Sequence, residues 1–117
     1  MSKKLILPAL IAVLGATPAA AEVWTVMEGT AKASRGTWQV NAIGSELTGT
    51  GEMTDDKGQR VTFKLAGTTR NGEYTMQRVG PSNGMNCVYR GDMKQPGKIN
   101  GSAMCGSSPA AWFVTRQ

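Results

Sequence analysis

Cys87 and Cys105 are the only cysteines of the 117-residue chain, and they lie on either side of the turn-forming run Lys94-Gln95-Pro96-Gly97-Lys98. In an oxidising compartment such a pair becomes a disulfide across a hairpin, a cross-link and not a nucleophile. Other reactive groups are few. The chain has no histidine, which removes the commonest general base, the usual partner of a serine nucleophile and the commonest zinc ligand. Asp55 and Asp56 fall in a turn signal, and Glu46 and Glu52 alternate with polar residues on an outward face, so these carboxylates read as solvated surface acids, not a glycosidic pair. One short acidic turn also lacks the six to eight oxygens that calcium takes. Met27, Met53, Met76, Met85, Met93 and Met104 offer soft thioethers suited to Cu(I), but no M-x-M or M-x-x-M cluster gathers them, and gap-filling in a core accounts for them. The expectation is a non-enzymatic protein without metal or cofactor.

The leader explains why the cysteines should be oxidised. Lys3 and Lys4 form a basic start, Leu5 to Leu14 an apolar stretch, and Ala19-Ala20-Ala21 a cleavage site. Residues 1–21 therefore read as a secretory signal peptide and residues 22–117 as one small domain. The apolar run is too short for a membrane span, no later segment approaches ~18 apolar residues, and Glu22-Val23-Trp24 after the cleavage point holds no cysteine for lipid attachment. A periplasmic or secreted protein is expected. The 13 Lys and Arg of the full chain lose Lys3 and Lys4 with the leader, leaving 11 against 8 Asp and Glu, a net +3. That surplus is scattered over Arg60, Lys64, Arg90, Lys94 and Lys98, without the basic stripe and exposed aromatics of a nucleic-acid binder.

Turn signals recur every 8–12 residues and no segment carries a helical apolar period, so the chain reads as all-β. The signals are Ser34-Arg35-Gly36, Gly44-Ser45, Asp55-Asp56-Lys57-Gly58, Asn71-Gly72, Gly80-Pro81-Ser82-Asn83-Gly84, Gln95-Pro96-Gly97 and Gly106-Ser107-Ser108-Pro109. Between them lie eight strands, near 23–30, 37–43, 46–54, 59–69, 72–79, 85–93, 98–105 and 110–116. An antiparallel eight-strand meander of this kind closes into a small up-and-down barrel, which removes exposed edges, or packs as a two-sheet sandwich.

Register follows from turn chemistry. A type I′ turn at Asn71-Gly72 sets Leu65 opposite Arg78, Gly67 opposite Met76 and Thr69 opposite Tyr74, and Val61, Phe63 and Leu65 face inward by alternation. Arg78 then points inside. Pairing about Pro96 sets Cys87 opposite Cys105, Tyr89 opposite Ala103, Gly91 opposite Gly101 and Met93 opposite Ile99; a type II turn at Pro96-Gly97 would shift that register by one and need a bulge to restore it. With the cysteines 18 residues apart, the bond contributes roughly 3 kcal/mol in the loop-entropy description.

The same alternation places Gly49, Gly51, Gly67, Gly91 and Gly101 on inward faces. Such glycines mark curvature or the close approach of another group. Either Trp38, Trp112 or Phe63 packs over them, or a cavity holds an apolar ligand. Gly36-Thr37-Trp38, followed by Leu47-Thr48-Gly49-Thr50 in the next strand, resembles the first hairpin of avidin-type barrels, and the G-x-W strand is similar to the lipocalin opening. The resemblance implies a calycin/avidin-like barrel architecture and carries no site residues with it. Two functions fit: a binding module whose mouth, with Trp38, Tyr74, Arg78, Tyr89 and Trp112 as ligand contacts, takes a small amphipathic or anionic ligand, or an interaction module such as an inhibitor of an exported hydrolase or an envelope accessory factor.

Overall fold

The computed structural model describes residues 21–29 and 34–117; the expected signal peptide, apart from Ala21, lies outside the described residues. Eight strands, β1 (Glu22–Glu28), β2 (Ser34–Ile43), β3 (Glu46–Asp55), β4 (Arg60–Arg70), β5 (Glu73–Val79), β6 (Cys87–Gln95), β7 (Lys98–Cys105) and β8 (Ser108–Arg116), pair in chain order. β8 returns to β1, so the sheet is a closed antiparallel barrel. The two-sheet alternative does not occur. Among the described residues no helix is long and apolar enough to cross a membrane.

The turns follow their residues. Asn71 and Gly72 both take positive φ, 53° and 81°, as a type I′ turn requires, and the expected β4–β5 register results. Around Pro96 the turn itself pairs Gln95 with Lys98, and a register shift between Asp92 and Gln95 restores the Cys87–Cys105, Tyr89–Ala103 and Gly91–Gly101 pairs. The expected Met93–Ile99 pair is lost to that bulge. Ser34, Arg35 and Gly36, read as a turn, instead open β2 opposite Asp55, Thr54 and Met53. Glycine there reflects proximity, not turning, because a Cβ on Gly36 would lie 1.8 Å from the Glu52 carbonyl oxygen.

The barrel interior is filled. Trp24, Trp38, Trp112 and Tyr89 are almost wholly buried, with Trp38 centroids 4.8 Å from Tyr89, 5.8 Å from Trp112, 5.9 Å from Phe63 and 6.3 Å from Trp24. These rings occupy the room left by the glycines. A Cβ on Gly51 would meet the Phe63 ring at 2.4 Å and Trp38 at 2.8 Å, so the packing reading of the glycine strip holds in the middle of the barrel. Aromatic burial and edge contacts of this kind dominate small cores. Trp112 Nε1 is the one fully buried side-chain polar atom among the described residues with no hydrogen-bond partner, a cost of about 1–3 kcal/mol.

Other glycines let strands approach. A Cβ on Gly101 would fall 1.9 Å from the Arg90 carbonyl oxygen and 2.5 Å from Gly91 Cα, and backbone cannot yield as a ring can. Gly101→Ala should therefore cost about 2–3 kcal/mol, lowering the melting temperature by on the order of 10 °C or more. Gly44→Ala, in open space at φ 61°, should cost only about 1 kcal/mol. Equal melting shifts in calorimetry would contradict this account of the wall.

Candidate functional site

The filled middle leaves polar chemistry to the two ends. β1 supplies an inward carboxylate to each, because Glu22, Trp24, Val26 and Glu28 share one face by alternation. At the end holding the β1 N-terminus, Glu22 meets Arg116 of β8 and Tyr74 of β5. Arg116 Nε donates to Glu22 Oε1 at 2.8 Å and Nη2 to Oε2 at 2.7 Å, a bidentate pair, while Nη1 donates to the Tyr74 hydroxyl at 2.8 Å. Trp24 Nε1 also donates to Glu22 at 2.8 Å. All three guanidinium nitrogens are engaged. Above this cluster lies a hollow of about 280 Å³ with Val40, Ile43 and Leu47 on its walls.

At the opposite end, Glu28 meets Arg78 of β5 and Tyr89 of β6, and all three are buried. The Tyr89 hydroxyl donates to Glu28 Oε1 at 2.9 Å and accepts from Arg78 Nε at 2.8 Å. Burial, reinforced by the Glu28 carboxylate, pushes the Tyr89 phenol far above its usual range, so it remains a fixed donor. The Arg78 guanidinium lies 4.3 Å from the Phe63 ring centroid, a favourable cation–π position. Its contact with Glu28, Nη2 to Oε2, is long at 3.4 Å, and Nη1 makes no hydrogen bond among the described residues. Among the described residues Arg78 thus has fewer hydrogen-bond partners than Arg116.

Glu28 and Arg78 of this second cluster line a cavity of about 450 Å³, walled by Met53, Val61, Met85 and the disulfide together with polar Ser34, Asp55, Gln59, Arg60 and Asn83. The Cys87–Cys105 bond is formed; Cys87 is buried and Cys105 partly exposed. Another hollow, about 460 Å³, lies outside the barrel over β2–β4 among Thr37, Gln39, Thr50 and Lys64, all surface-facing groups.

The five residues expected to contact a ligand do not form one mouth. Trp38, Tyr89 and Trp112 are packed together in the middle, whereas Tyr74 and Arg78 stand at opposite ends, since four residues of strand span about 13 Å. Of these, Arg78 lines the larger end cavity and Tyr74 the smaller. Sequence reasoning missed Glu22, Glu28 and Arg116. The signal was the even-numbered alternation of β1 and β8, which puts each on the face shared by Trp24, Val26, Trp112 and Val114.

No family model and no curated protein matches the sequence. Among solved structures, the chain is similar to a redesigned β-barrel, mFAP1, determined bound to DFHBI, with a TM-score of 0.65 and 12% identity over 84% of this chain and 94% of that one. The likeness is one of fold, a small closed antiparallel barrel.

The saturated cluster makes a pH prediction. Hydrogen bonding from Arg116 holds the Glu22 carboxyl below its ordinary value of 4.5, against a smaller opposing effect of burial and with further lowering from Trp24. The unfolded chain then binds the proton more readily in acid, so this stabilisation is complete above about pH 4.5 and is lost as pH falls through the lower folded-state value. Glu22→Gln should flatten the acid limb of the melting-temperature profile while lowering its plateau; parallel acid limbs for the two proteins would refute the assignment.

Proposed function

We propose that this chain is a non-enzymatic binding module, exported through its leader, that takes a small amphipathic ligand at the disulfide end of the barrel. The observation that carries the reading is the contrast between the two Glu–Arg–Tyr clusters. One engages every guanidinium nitrogen with the protein, and the other leaves Arg78 Nη1 without a hydrogen bond among the described residues, in a cavity of about 450 Å³. Among the described residues Nη1 is not a fully buried orphan, and Arg78 lines the cavity, so a charge-assisted donor is offered there to an anionic head. A carboxylate-sized head on Arg78 with an apolar tail against Met53, Val61 and Met85 would use that donor and cover the apolar part of the wall, leaving Asp55, Gln59 and Arg60 to polar groups or water. The volume falls within the range of small-molecule pockets, and the similar redesigned barrel was solved bound to DFHBI. The lack of histidine in the chain and the disulfide, typical of oxidising compartments, support the non-enzymatic and exported parts of the reading.

A second reading rests on the exposed cross-strand pair Val88 and Met104 with Pro109 beside it on the outer face of β6–β8, a surface suited to a protein partner of the envelope. The two are separated by an amide-shift NMR titration with decanoate and, as a control, decylammonium. Decanoate should shift Glu28, Val61, Arg78 and Cys105, and Val61→Trp should weaken it at least tenfold, while Ile43→Trp at the other end leaves it unchanged. Silence at millimolar decanoate, or shifts confined to the Ile43 end, would sink the ligand reading.

A further inference from the structure

The disulfide and Glu28 share the floor of that cavity, and their atoms are placed for chemistry that the oxidised bond conceals. Glu28 Oε2 lies 3.7 Å from Cys105 Sγ, and a carboxylate oxygen with both sulfurs falls within 4.8 Å of one another. We propose that reduction of Cys87–Cys105 opens a tetrahedral Zn²⁺ site made by the two thiolates and the Glu28 carboxylate, with the fourth position facing the cavity.

The three donor atoms stand within 4.8 Å of one another, close to what a tetrahedral site needs. With Zn–S near 2.3 Å and Zn–O near 2.0–2.2 Å, neighbouring donors of a tetrahedral site stand about 3.5–3.8 Å apart. The Glu28 oxygen already sits at that distance from Cys105. Cys87 and Cys105 are direct cross-strand partners on the inward face, so two freed sulfurs can part to the same spacing by side-chain rotation alone. Tyr89 holds Oε1 of the carboxylate at 2.9 Å and leaves Oε2 toward the sulfurs, the outer-shell support that metal-binding carboxylates use. Charge also balances, since two thiolates and one carboxylate face Zn²⁺ and the Arg78 guanidinium, whose Nη2 lies 3.4 Å from Glu28. Thiolate donors with one oxygen suit zinc and exclude calcium and magnesium. The cavity reaches all three donors and supplies the entry path.

The step balances with a dithiol reductant. It delivers two electrons and two protons, the S–S bond breaks to two thiols, and the reductant leaves as its own disulfide. Zn²⁺ then displaces one proton from each thiol to solvent and forms two Zn–S bonds and one Zn–O bond. While the disulfide stands, no thiolate is available and the site is closed.

Co²⁺ is the probe. Added to the phosphine-reduced protein, it should give a thiolate-to-cobalt charge-transfer band saturating at one metal per chain and bleached by Zn²⁺, and Zn²⁺ should raise the melting temperature of the reduced but not the oxidised protein. Glu28→Gln should keep the thiolate band and weaken Co²⁺ at least tenfold; Glu28→Asp, which withdraws the oxygen by one methylene, should do the same and serves where the Gln variant does not fold. The proposal is overturned by absence of the band in the reduced protein, by saturation at one metal per two chains, or by wild-type affinity in the Glu28 variants. No organic ligand takes part, so failure here leaves the binding-module reading standing.

Discussion

The packing of Trp38 against Trp112, Tyr89 and Phe63 is the constraint on which the rest of the barrel depends. Closed eight-stranded barrels have an interior just wide enough for side chains, and here four large rings need more room than an evenly lined wall leaves. Inward glycines supply it, most directly Gly51, whose missing Cβ is replaced by the edges of Phe63 and Trp38. Glycine and ring are thus one feature seen from two strands. The middle becomes a closely packed plug, and anything the protein does with small molecules or ions must be done at its ends or on its outer face.

Closure of the barrel through β1 and β8 then decides what stands at those ends. Glu22 and Glu28 lie six residues apart on one face of β1, so a single short strand supplies a buried or half-buried carboxylate to both. Each end meets that carboxylate with an arginine and a tyrosine, and the outcomes differ. Arg116 is held by a bidentate carboxylate and a phenol at 2.7–2.8 Å, geometry that fixes the first and last strands together. Arg78 leans on Phe63 and one phenol oxygen, beside a disulfide and a larger hollow. The first arrangement secures the seam of the barrel; the second lines a cavity with its guanidinium and carboxylate.

Much of this was legible in the chain. Asn71-Gly72 specifies its turn so strongly that the β4–β5 register, and the inward aim of Arg78, follow from two residues. The cysteine pairing also follows, although Pro96-Gly97 imposes a type II turn and the bulge that removes the Met93–Ile99 pair. Glu22, Glu28 and Arg116 escaped because charged residues near strand ends read as solvated, and only partners distant in sequence, 94 residues apart for Glu22 and Arg116, make their burial tolerable. Gly36 was misread for a related reason: local turn chemistry and close approach of a distant strand both select glycine, and the local pattern does not distinguish them. Tyr74 and Arg78 share a face, yet strand rise alone separates them to opposite mouths.

The barrel is plugged in the middle, and the binding proposed at the disulfide end turns on what Arg78 Nη1 meets there. A high-resolution crystal structure of the oxidised protein tests it most directly. The account predicts an ordered water or ligand atom within hydrogen-bond distance, about 3 Å, of Arg78 Nη1, and no solvent between Trp38, Trp112 and Tyr89. An Arg78 whose three nitrogens are all engaged by the protein itself, as those of Arg116 are, or a ligand threaded between the central rings, would contradict it.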